Sequence, residues 1–405
     1  MSAFNAYCRA HQLAFRALAR FLDWSQPRVF TGAGSIKKLP AFIHDKGLER
    51  VLVVTDKELM RLRLLDSLLE VLKNAGVEYF VYDETRPNPT IGNAEEARRL
   101  FVENRCDSVI AFGGGSPMDC AKIAAARAVN PKKTVPQMRG QLKVGKKLPP
   151  FFAVPTTAGT GSETTVAAVI TDPETHEKYA VNDPKLRPGY AVLDPELTTG
   201  LPGSVTATTG MDALTHAVEA YIGRSNTSDT RYNAEKAVKL IFENLEKAYN
   251  NGSDIEARNN MLYAAHYAGI AFTRAYVGYV HAIAHNLGGI YGIAHGLANA
   301  VILPYVLDAF GSSVYVSLAR LADAAGLGND AMTSEKKAKA FIAEIREMNR
   351  RMNIPDALPQ IKEEDIPLIA GRAEKEANPL YPVPKILNKD ELAAIIKKIK
   401  EGDQQ

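Results

Sequence analysis

The side chains best suited to metal chemistry in this 405-residue chain are a carboxylate and several histidines within one segment. In GMDALTHAVEAY, Asp212 and His216 are four residues apart, a spacing that puts both on one face of a helix. In VHAIAHNLGG, His281 and His285 have the same spacing, and IAHG supplies His295. This donor set matches the preferences of divalent iron or zinc. The pattern predicts a metal site, but spacing leaves open whether His281, His285 or both bind the ion.

A single helical histidine is more often an ordinary core or surface residue, and His266 is interpreted in that way. Two pairs with i,i+4 spacing in otherwise apolar helices favour the metal interpretation. The reason is energetic, because burying several titratable groups close together is costly unless a cation compensates.

Two glycine-rich loops lie upstream of the histidines. GGGSPMDCAK places Gly113–Gly115 between a predicted strand and a helix that Ser116 opens, and PTTAGTGSE (Pro155–Glu163) mixes hydroxyls with glycines. Glycines let the backbone approach a diphosphate, and a helix N-terminus offers free N–H groups. The alternative for the first loop is a tight turn with Ser116 as a plain N-cap. Two such loops at one edge of a parallel sheet favour a nucleotide-binding crevice.

An acidic residue, Asp56, ends an earlier predicted strand, an order that differs from the usual dinucleotide fingerprint. An aspartate there can bind a ribose 2′-hydroxyl and repel a 2′-phosphate, which favours NAD over NADP. An N-cap for a helix that begins near Lys57 explains it equally well. TGAGSIKKL (Thr31–Leu39) also resembles a phosphate loop but is interpreted as a turn and cap.

The elements that would position these residues follow from the apolar pattern. Strands are predicted at Val51–Asp56 and Glu78–Asp83, and a strand followed by a turn or loop at Ser108–Ser116 and again at Pro150–Thr157. A helix is predicted up to Asn74 and another at Asn93–Asn104. Strands that alternate with helices predict a parallel, doubly wound sheet. From Thr206 onward only helices are predicted, at Thr206–Tyr221, Arg231–Tyr249, Ile255–Phe272 and Val280–Leu287. We therefore predict an N-terminal helix over 1–24, an α/β nucleotide-binding domain over 25–203 and a helical metal-binding domain over 204–405.

Composition narrows the possible function classes. A hydrophobic share of 46%, a charged share of 23% and a net charge of +3 disfavour a nucleic-acid binder or a disordered chain. The three cysteines, Cys8, Cys106 and Cys120, lack metal or disulfide spacing and suggest a reducing compartment. No stretch approaches the roughly 18–20 apolar residues of a membrane span. We expect a cytoplasmic protein without membrane or nucleic-acid partners.

The first 22 residues contain no acidic residue, and Arg9, Arg16 and Arg20 interrupt an apolar series with helical spacing. The pattern predicts an amphipathic helix that docks on a partner or on the protein itself. An organelle-targeting presequence is the alternative, because it has the same chemistry.

In their order along the chain, GGGSPMDCAK, TTAGTGSE, GMDALTHAVEAY and the VHAIAHNLGG…AHG segment resemble the iron-containing (group III) alcohol dehydrogenases, in particular the lactaldehyde reductase and 1,3-propanediol dehydrogenase branch. The resemblance extends from about Val29 to the C-terminal helix. It implies a dehydroquinate synthase-like architecture, with a Rossmann-like sheet domain followed by an all-helical domain. It also implies hydride transfer between NAD(H) and a small primary alcohol, diol or aldehyde, in a homo-oligomer built from dimers, with the site in the cleft between domains.

The resemblance implies that Asp212, His216, His281 and His295 coordinate Fe²⁺, with Zn²⁺ as the alternative. His285 would instead relay a proton or orient the substrate. The positions that match the family's cofactor-binding residues are Asp56, Asn88, Gly114, Gly115, Ser116, Asp119, Thr156, Thr157, Thr160 and Lys178. Asn286 and Ala294 depart from the pattern, since proline is common at both, and the N-terminal helix is absent from shorter relatives.

Three other functions agree less well with the sequence. A lyase of the dehydroquinate synthase type should carry a basic cluster for a phosphorylated substrate, and the motifs here are poor in Lys and Arg. A glycerol-dehydrogenase-like zinc enzyme has a three-ligand site, whereas four ligands are expected here. A catalytically silent metal-binding scaffold has only the N-terminal helix in its favour.

Overall fold

The computed structural model describes residues 3–175 and 177–402. The chain forms two compact units, one of which is Asp23–Gly200. The other combines the described parts of Leu201–Gln405 and Met1–Leu22, so that the first helix, α1 (Ala3–Leu18), groups with the C-terminal half of the chain.

A six-stranded sheet forms the centre of the α/β unit, in the order β1-β9-β6-β4-β2-β3, and every pairing in it is parallel. This confirms the predicted parallel sheet. The strands of the unit are β1 (Arg28–Thr31), β2 (Arg50–Val54), β3 (Glu78–Tyr82), β4 (Ser108–Gly113), β5 (Gly140–Gln141), β6 (Phe151–Pro155), β7 (Ala167–Thr171), β8 (Lys178–Asn182) and β9 (Tyr190–Leu193). All residues of β4 and β6 are buried, as expected for strands that are covered on both faces.

Helices connect these strands. They are α2 (Leu39–Asp45), α3 (Lys57–Arg61), α4 (Asp66–Asn74), α5 (Ile91–Glu103), α6 (Gly115–Val129) and α7 (Val135–Met138). The single helix predicted up to Asn74 is wrong, because a turn with Arg63 at φ 58° separates α3 from α4. Helix α5 begins two residues before the predicted Asn93, where Thr90 and Asn93 form a reciprocal capping box.

The chain reverses its winding direction between β2 and β4. From β2 it passes outward to β3 and then returns to β4 on the other side of β2. In such sheets, ligands bind outside the carboxyl ends of the strands where the direction reverses. The register pairs Val54 with Ala111 and Gly113 with Pro155. The segments that follow β2, β4 and β6 therefore lie at one edge of the sheet.

A second, three-stranded sheet in the order β5-β8-β7 was not predicted from the sequence. Its core is the antiparallel pair β7 and β8, in which buried and half-buried residues alternate. These strands are short and alternate in polarity, so they lack the continuous apolar run that identifies the strands of the main sheet.

The second unit is helical, and the described residues from Leu201 to Gly402 contain no strand, as predicted. Its helices are α8 (Gly203–Ile222), α9 (Ser228–Asn250), α10 (Ile255–Ala275), α11 (Tyr279–Tyr291), α12 (His295–Phe310), α13 (Tyr315–Ala324), α14 (Ser334–Arg351), α15 (Ile366–Ala377) and α16 (Lys389–Glu401). Within 3–175 and 177–402, none of the helices combines the length and the apolar character needed to cross a membrane.

Helix α1 packs on the chain itself through only part of the apolar series that predicted an amphipathic helix, since Phe15 contacts Tyr276. Its buried residues are Cys8 and Gln12, whereas Phe4, Tyr7 and Leu18 are exposed.

Candidate metal centre and cofactor loops

Asp212, His216, His281 and His295 come together in the helical unit. Each offers one ligand atom, and these four atoms all lie within 4.8 Å of one another. The first three residues are buried and His295 is partly exposed. His266 is buried on α10 and does not belong to this cluster.

Three helices supply the four side chains. Asp212 and His216 lie one turn apart on α8, His281 is in the first turn of α11, and His295 is the first residue of α12. The His216 ring is stacked between Phe272, at 4.1 Å, and His281, at 4.6 Å between ring centroids. This packing fixes the plane of the His216 imidazole.

A glycine at the start of α12 allows His295 to approach α8. A Cβ atom on Gly296 would lie 2.4 Å from the carbonyl oxygen of Thr208, so that a larger residue would push the two helices apart. With glycine in place, His295 Nε2 lies 3.6 Å from Asp212 Oδ1.

A buried carboxylate, Glu219, supports His281 from behind. Its Oε2 lies 2.6 Å from His281 Nδ1, and its two oxygens accept hydrogen bonds from the backbone N–H groups of Gly278 and Val280, both at 2.8 Å. Here too a glycine is required, because a Cβ on Gly278 would lie 2.7 Å from Glu219 Oε1. With Nδ1 bound to Glu219, the Nε2 lone pair of His281 is left for an ion.

Burial shifts the protonation of this pair. It raises the pKa of Glu219 to about 8, although the N–H groups of Gly278 and Val280 oppose the rise. Burial also lowers the pKa of His281 well below its ordinary value, and the neighbouring His216, His295 and His285 lower it further. A neutral imidazole is the form that binds a metal.

The amide of Asn299 reaches three of the ligand atoms. Its Nδ2 donates to Asp212 Oδ1 at 2.6 Å and lies 3.3 Å from His281 Nε2 and 3.1 Å from His295 Nε2. One nitrogen can lie this close to all three only because the three ligand atoms converge on a small volume. That arrangement is what a metal ion requires.

The donor set also fits an ion in its dimensions. Four ligands about 2.1 Å from a tetrahedral ion lie roughly 3.4 Å apart. Asp212 Oδ1 is 3.6 Å from His295 Nε2 and 4.0 Å from His281 Nε2. All four ligand atoms lie within 4.8 Å of one another, so the site would contract when it closes around divalent iron or zinc.

His285 lies beside the four-residue cluster. Its ring stacks on His295 at 5.3 Å, and its Nδ1 is 2.7 Å from Glu376 Oε1. Its side chain is 27% exposed, compared with 3% for His281. His285 is thus a partly accessible imidazole with one nitrogen held by a carboxylate.

In the α/β unit, the two glycine-rich loops pack against each other. A Cβ on Gly114 would lie 3.3 Å from Thr157 Oγ1, and one on Gly115 would lie 3.1 Å from Thr160 Cγ2. The N-cap of α6 is Gly114, so the alternative that Ser116 caps this helix is wrong. Backbone N–H groups that open a 15-residue helix beside a hydroxyl-rich loop suit a diphosphate.

The second of these loops is held in place by a buried cation. Lys122 Nζ donates to the carbonyl and hydroxyl oxygens of Ser162 and Thr165 and to the carbonyl of Ala167, at 2.7 to 3.3 Å. Burial lowers the pKa of Lys122 to about 8. Asp119 accepts from Ser162 Oγ at 3.1 Å and from the Val169 N–H at 3.0 Å, and this ties α6 to the same loop.

The other predicted cofactor residues lie near the ends of neighbouring strands. Asp56 is the N-cap of α3, where its Oδ1 accepts from the Leu59 N–H at 2.9 Å. The N-cap predicted as one role of Asp56 is therefore present. Its other predicted role, binding the ribose of the cofactor, stays a prediction. Asn88 Oδ1 accepts from Lys178 Nζ at 2.8 Å, so these two predicted residues are paired. Thr156 follows β6 and is buried.

Sequence reasoning did not identify the supporting residues Glu219, Asn299 and Glu376. A signal existed for the first two, because Glu219 is three residues after His216 and Asn299 four after His295, spacings that put each beside the ligand on one face of its helix. Glu376 has no comparable signal, since Glu374 and Lys375 precede it in a charged stretch of α15.

The chain matches two family models that together span most of its length. Residues 26–195 match the model described as iron-containing alcohol dehydrogenase, and residues 206–400 match the C-terminal model of the Fe-containing alcohol dehydrogenase family.

Individual proteins give the same result. Alcohol dehydrogenase 4 of Schizosaccharomyces pombe is 39% identical, covering 90% of this chain and 86% of its own. A 1,3-propanediol dehydrogenase of Klebsiella pneumoniae is 38% identical over 93% of this chain and 98% of its own. A solved 1,3-propanediol oxidoreductase superposes with a TM-score of 0.90 at 36% identity, covering 94% of this chain and all of that one.

Proposed function

Because the chain belongs to the iron-containing alcohol dehydrogenase family, we propose that Asp212, His216, His281 and His295 hold its catalytic ion. The protein is an NAD(H)-dependent alcohol dehydrogenase. The observation that carries the assignment of these residues is the convergence of one carboxylate and three imidazoles from three helices within 4.8 Å.

A divalent ion at this position supplies Lewis-acid chemistry, polarising a carbonyl oxygen or favouring ionisation of an alcohol. The protein residues prepare its ligands. Asp212 contributes the negative charge, and Asn299 fixes the orientation of its carboxylate. Glu219 fixes the orientation of His281, and the stacking of Phe272 and His281 fixes that of His216. The ligands are therefore held in place before an ion binds.

His285 is proposed to exchange the alcohol proton with solvent or to orient the substrate. Its Nδ1 is engaged by Glu376, so Nε2 is the nitrogen available to a reacting group. Partial exposure gives the imidazole a route for the proton to water, which the buried His281 lacks.

The α/β unit is proposed to bind the dinucleotide. Hydride chemistry belongs to the nicotinamide ring of that cofactor. Backbone N–H groups at Gly114, Gly115 and Ser116 would hold the diphosphate, with the hydroxyls of Thr156, Thr157 and Thr160 beside it. Asp56 would bind the ribose and exclude a 2′-phosphate. Asn88, Asp119 and Lys178 complete the proposed cofactor set, the first and last as a hydrogen-bonded pair.

The proposed substrates are small primary alcohols, diols and their aldehydes. The similarity to a 1,3-propanediol dehydrogenase over almost the whole of both chains supports a short diol or hydroxyaldehyde. The departures at Asn286 and Ala294 adjoin His285 and His295, so the preference within this class should differ from that of relatives with proline at these positions.

The decisive experiment combines metal analysis of protein purified without oxygen with an NADH-oxidation assay over a panel of short aldehydes. The proposal predicts about one bound iron or zinc ion per chain and turnover that a chelator abolishes and added metal restores. Turnover that persists after complete metal removal would contradict it. Reconstitution with iron and with zinc in parallel identifies the active metal.

We also propose a homo-oligomer built from dimers in the cytoplasm. The resemblance to the family supports the homo-oligomer. The cytoplasmic location is supported by Cys8, Cys106 and Cys120, which are free and buried. The exposed Phe4, Tyr7 and Leu18 leave α1 an apolar outer face that could contact a partner. Sedimentation of the full chain tests the oligomer, and fractionation of the source cells tests the compartment.

A further inference from the structure

Helix α1 binds the segment 379–384, which links α15 to α16, through two polar side chains. Arg9 and Gln12 are joined to each other by a 2.8 Å hydrogen bond. Between them they donate to four backbone carbonyls of the segment, those of Pro379, Tyr381, Val383 and Pro384, at 2.7 to 3.2 Å. Four bonds from two side chains fix the path of a segment that has no helix or strand of its own.

The side chain of Tyr381, in this segment, is directed at the carboxylate that supports His285. Tyr381 donates its hydroxyl proton to Glu376 Oε1 at 3.0 Å, and the same oxygen is 2.7 Å from His285 Nδ1. Burial and the neighbouring Glu376 carboxylate raise the pKa of Tyr381 well above its ordinary value, so the hydroxyl keeps the proton that it donates. Hydrogen bonds to the backbone and from the side chain of Tyr381 therefore connect α1 to Glu376 and His285.

A second contact of α1 lies close in the chain to the residues that bind Glu219, the carboxylate that holds His281. Phe15 packs edge-on against Tyr276, with 5.6 Å between ring centroids. Tyr276 has φ 67° and ψ 175°, a backbone conformation that is almost restricted to glycine and persists only where its surroundings hold it. Shortly after it in the chain, the N–H groups of Gly278 and Val280 bind Glu219.

We propose that α1 is a structural part of the active site, in which Arg9 and Gln12 hold Tyr381 and Glu376 so that Glu376 fixes the orientation of the His285 imidazole. These four are positioning residues, and none of them is assigned contact with substrate. The inference rests on the proposed role of His285. Because a displacement of about 1 Å at a reacting group can cost about 100-fold in rate, an indirect support of this kind can be visible in kcat.

A helix that serves only to target the protein or to dock on a partner gives a different expectation. Its inward-facing polar residues would then matter for stability at most, and turnover by the folded, metal-loaded enzyme would not depend on them. Steady-state kinetics of the full chain therefore separates the two roles.

The first test replaces Arg9 and Gln12 together by alanine, with Leu13→Ala as the control, since Leu13 is 65% exposed on the same helix. We expect the double variant to lose about tenfold or more in kcat, while its metal content and its KM for NADH stay at wild-type values. Leu13→Ala should match the wild type. Wild-type kcat in the double variant would overturn the proposal.

Two milder variants keep the test decisive if the double variant folds poorly. Tyr381→Phe removes one hydroxyl group, and Glu376→Ala removes the carboxylate. Both should lower kcat, Glu376→Ala by about 10- to 100-fold. Glu376→Gln should recover part of the loss, because its amide oxygen still accepts a hydrogen bond from His285 Nδ1. Equal kcat values for Glu376→Ala and the wild type would overturn the proposal.

A double-mutant cycle shows whether Glu376 acts through His285. In a His285→Asn background, Glu376→Ala should cause no further loss of kcat, whereas an independent structural effect would add its full factor and contradict the inference. His285→Asn alone tests the proposed function. If the His285→Asn variant is fully active, the proposed role of His285 is wrong. If the His285→Asn variant is slow while Glu376→Ala has wild-type kcat, only the inference that Glu376 positions His285 is wrong.

Discussion

The two units of this dehydrogenase carry their functional groups in different ways. In the α/β unit, Asp56, the Gly114 loop and the Thr157 loop each follow a strand of one parallel sheet, and the register of the strands brings them to one edge. In the helical unit, the ligands come from three helices, and the carboxylate that holds His285 is 91 residues away from it. The first site depends on local turns, whereas the second depends on packing between distant helices.

This difference predicts that substitutions in the helical unit will be the more damaging. Loss of a ligand should have the largest effect. Asp212→Ala or His281→Ala should remove bound metal and lower turnover by at least about 100-fold without unfolding the chain. Metal analysis, the NADH assay and circular dichroism measure these effects, with the exposed Asp45→Ala as the control. Full activity in a metal-free variant would exclude this ligand set.

Gly296→Ala tests whether packing alone controls the metal centre. The new Cβ would meet the Thr208 carbonyl at 2.4 Å, so α12 must move away from α8. We expect about 1–3 kcal/mol of destabilisation and about tenfold weaker metal binding. Gly289→Ala on α11 is the matched control, since its Cβ would contact nothing within 4 Å. Identical metal affinity in the two variants would show that the packing of α12 on α8 does not control the metal centre.

Lys122→Met tests how far the α/β unit also depends on a distant contact. It removes the donor to five oxygens around the second loop, which should cost about 1–3 kcal/mol of stability. A loosened loop should raise the KM for NADH by about tenfold and leave metal content unchanged. Urea unfolding and NADH titration measure the two effects, with the exposed Lys132→Met as the control. An unchanged KM would mean that the loop keeps its shape without Lys122.

The smallest effect is expected at Asp56, where the cap and the charge can be separated. Asp56→Asn keeps an N-cap for α3 and removes the charge, whereas Asp56→Gly removes the side chain altogether. If Asp56 repels a 2′-phosphate, both variants should lower the preference for NAD over NADP by about fivefold, with turnover with NAD close to wild type in Asp56→Asn. Unchanged preference in both variants would leave Asp56 as a cap alone. The ratio of kcat/KM values for the two cofactors is the measurement.

The sequence predicted those parts of the fold that local patterns encode. Apolar runs located β2, β4 and β6, and helical periodicity located α8 to α11. The hairpin of β7 and β8 was missed because its polarity alternates over only five residues per strand. The break between α3 and α4 was missed because it depends on one residue, Arg63, with a positive φ, which no residue type in that segment indicates.

The candidate metal ligands followed from spacing and resemblance, but their supports did not. Glu219 and Asn299 are recognisable only once α8, α11 and α12 are known to converge. Glu376 and Tyr381 depend on how the segment 379–384 is held, which is a matter of contacts made 367 to 375 residues apart in the chain. No window of sequence contains both sides of such a contact.

That separation has a consequence for the order in which the enzyme is made. The carbonyl acceptors of Arg9 lie 374 and 375 residues after it, so they leave the ribosome long after the first helix does. Until then, the guanidinium of Arg9 and the amide of Gln12 lack these carbonyl partners in the growing polypeptide. Full turnover would thus begin only after the segment 379–384 has been made, because Arg9 and Gln12 must bind it before His285 is held in place.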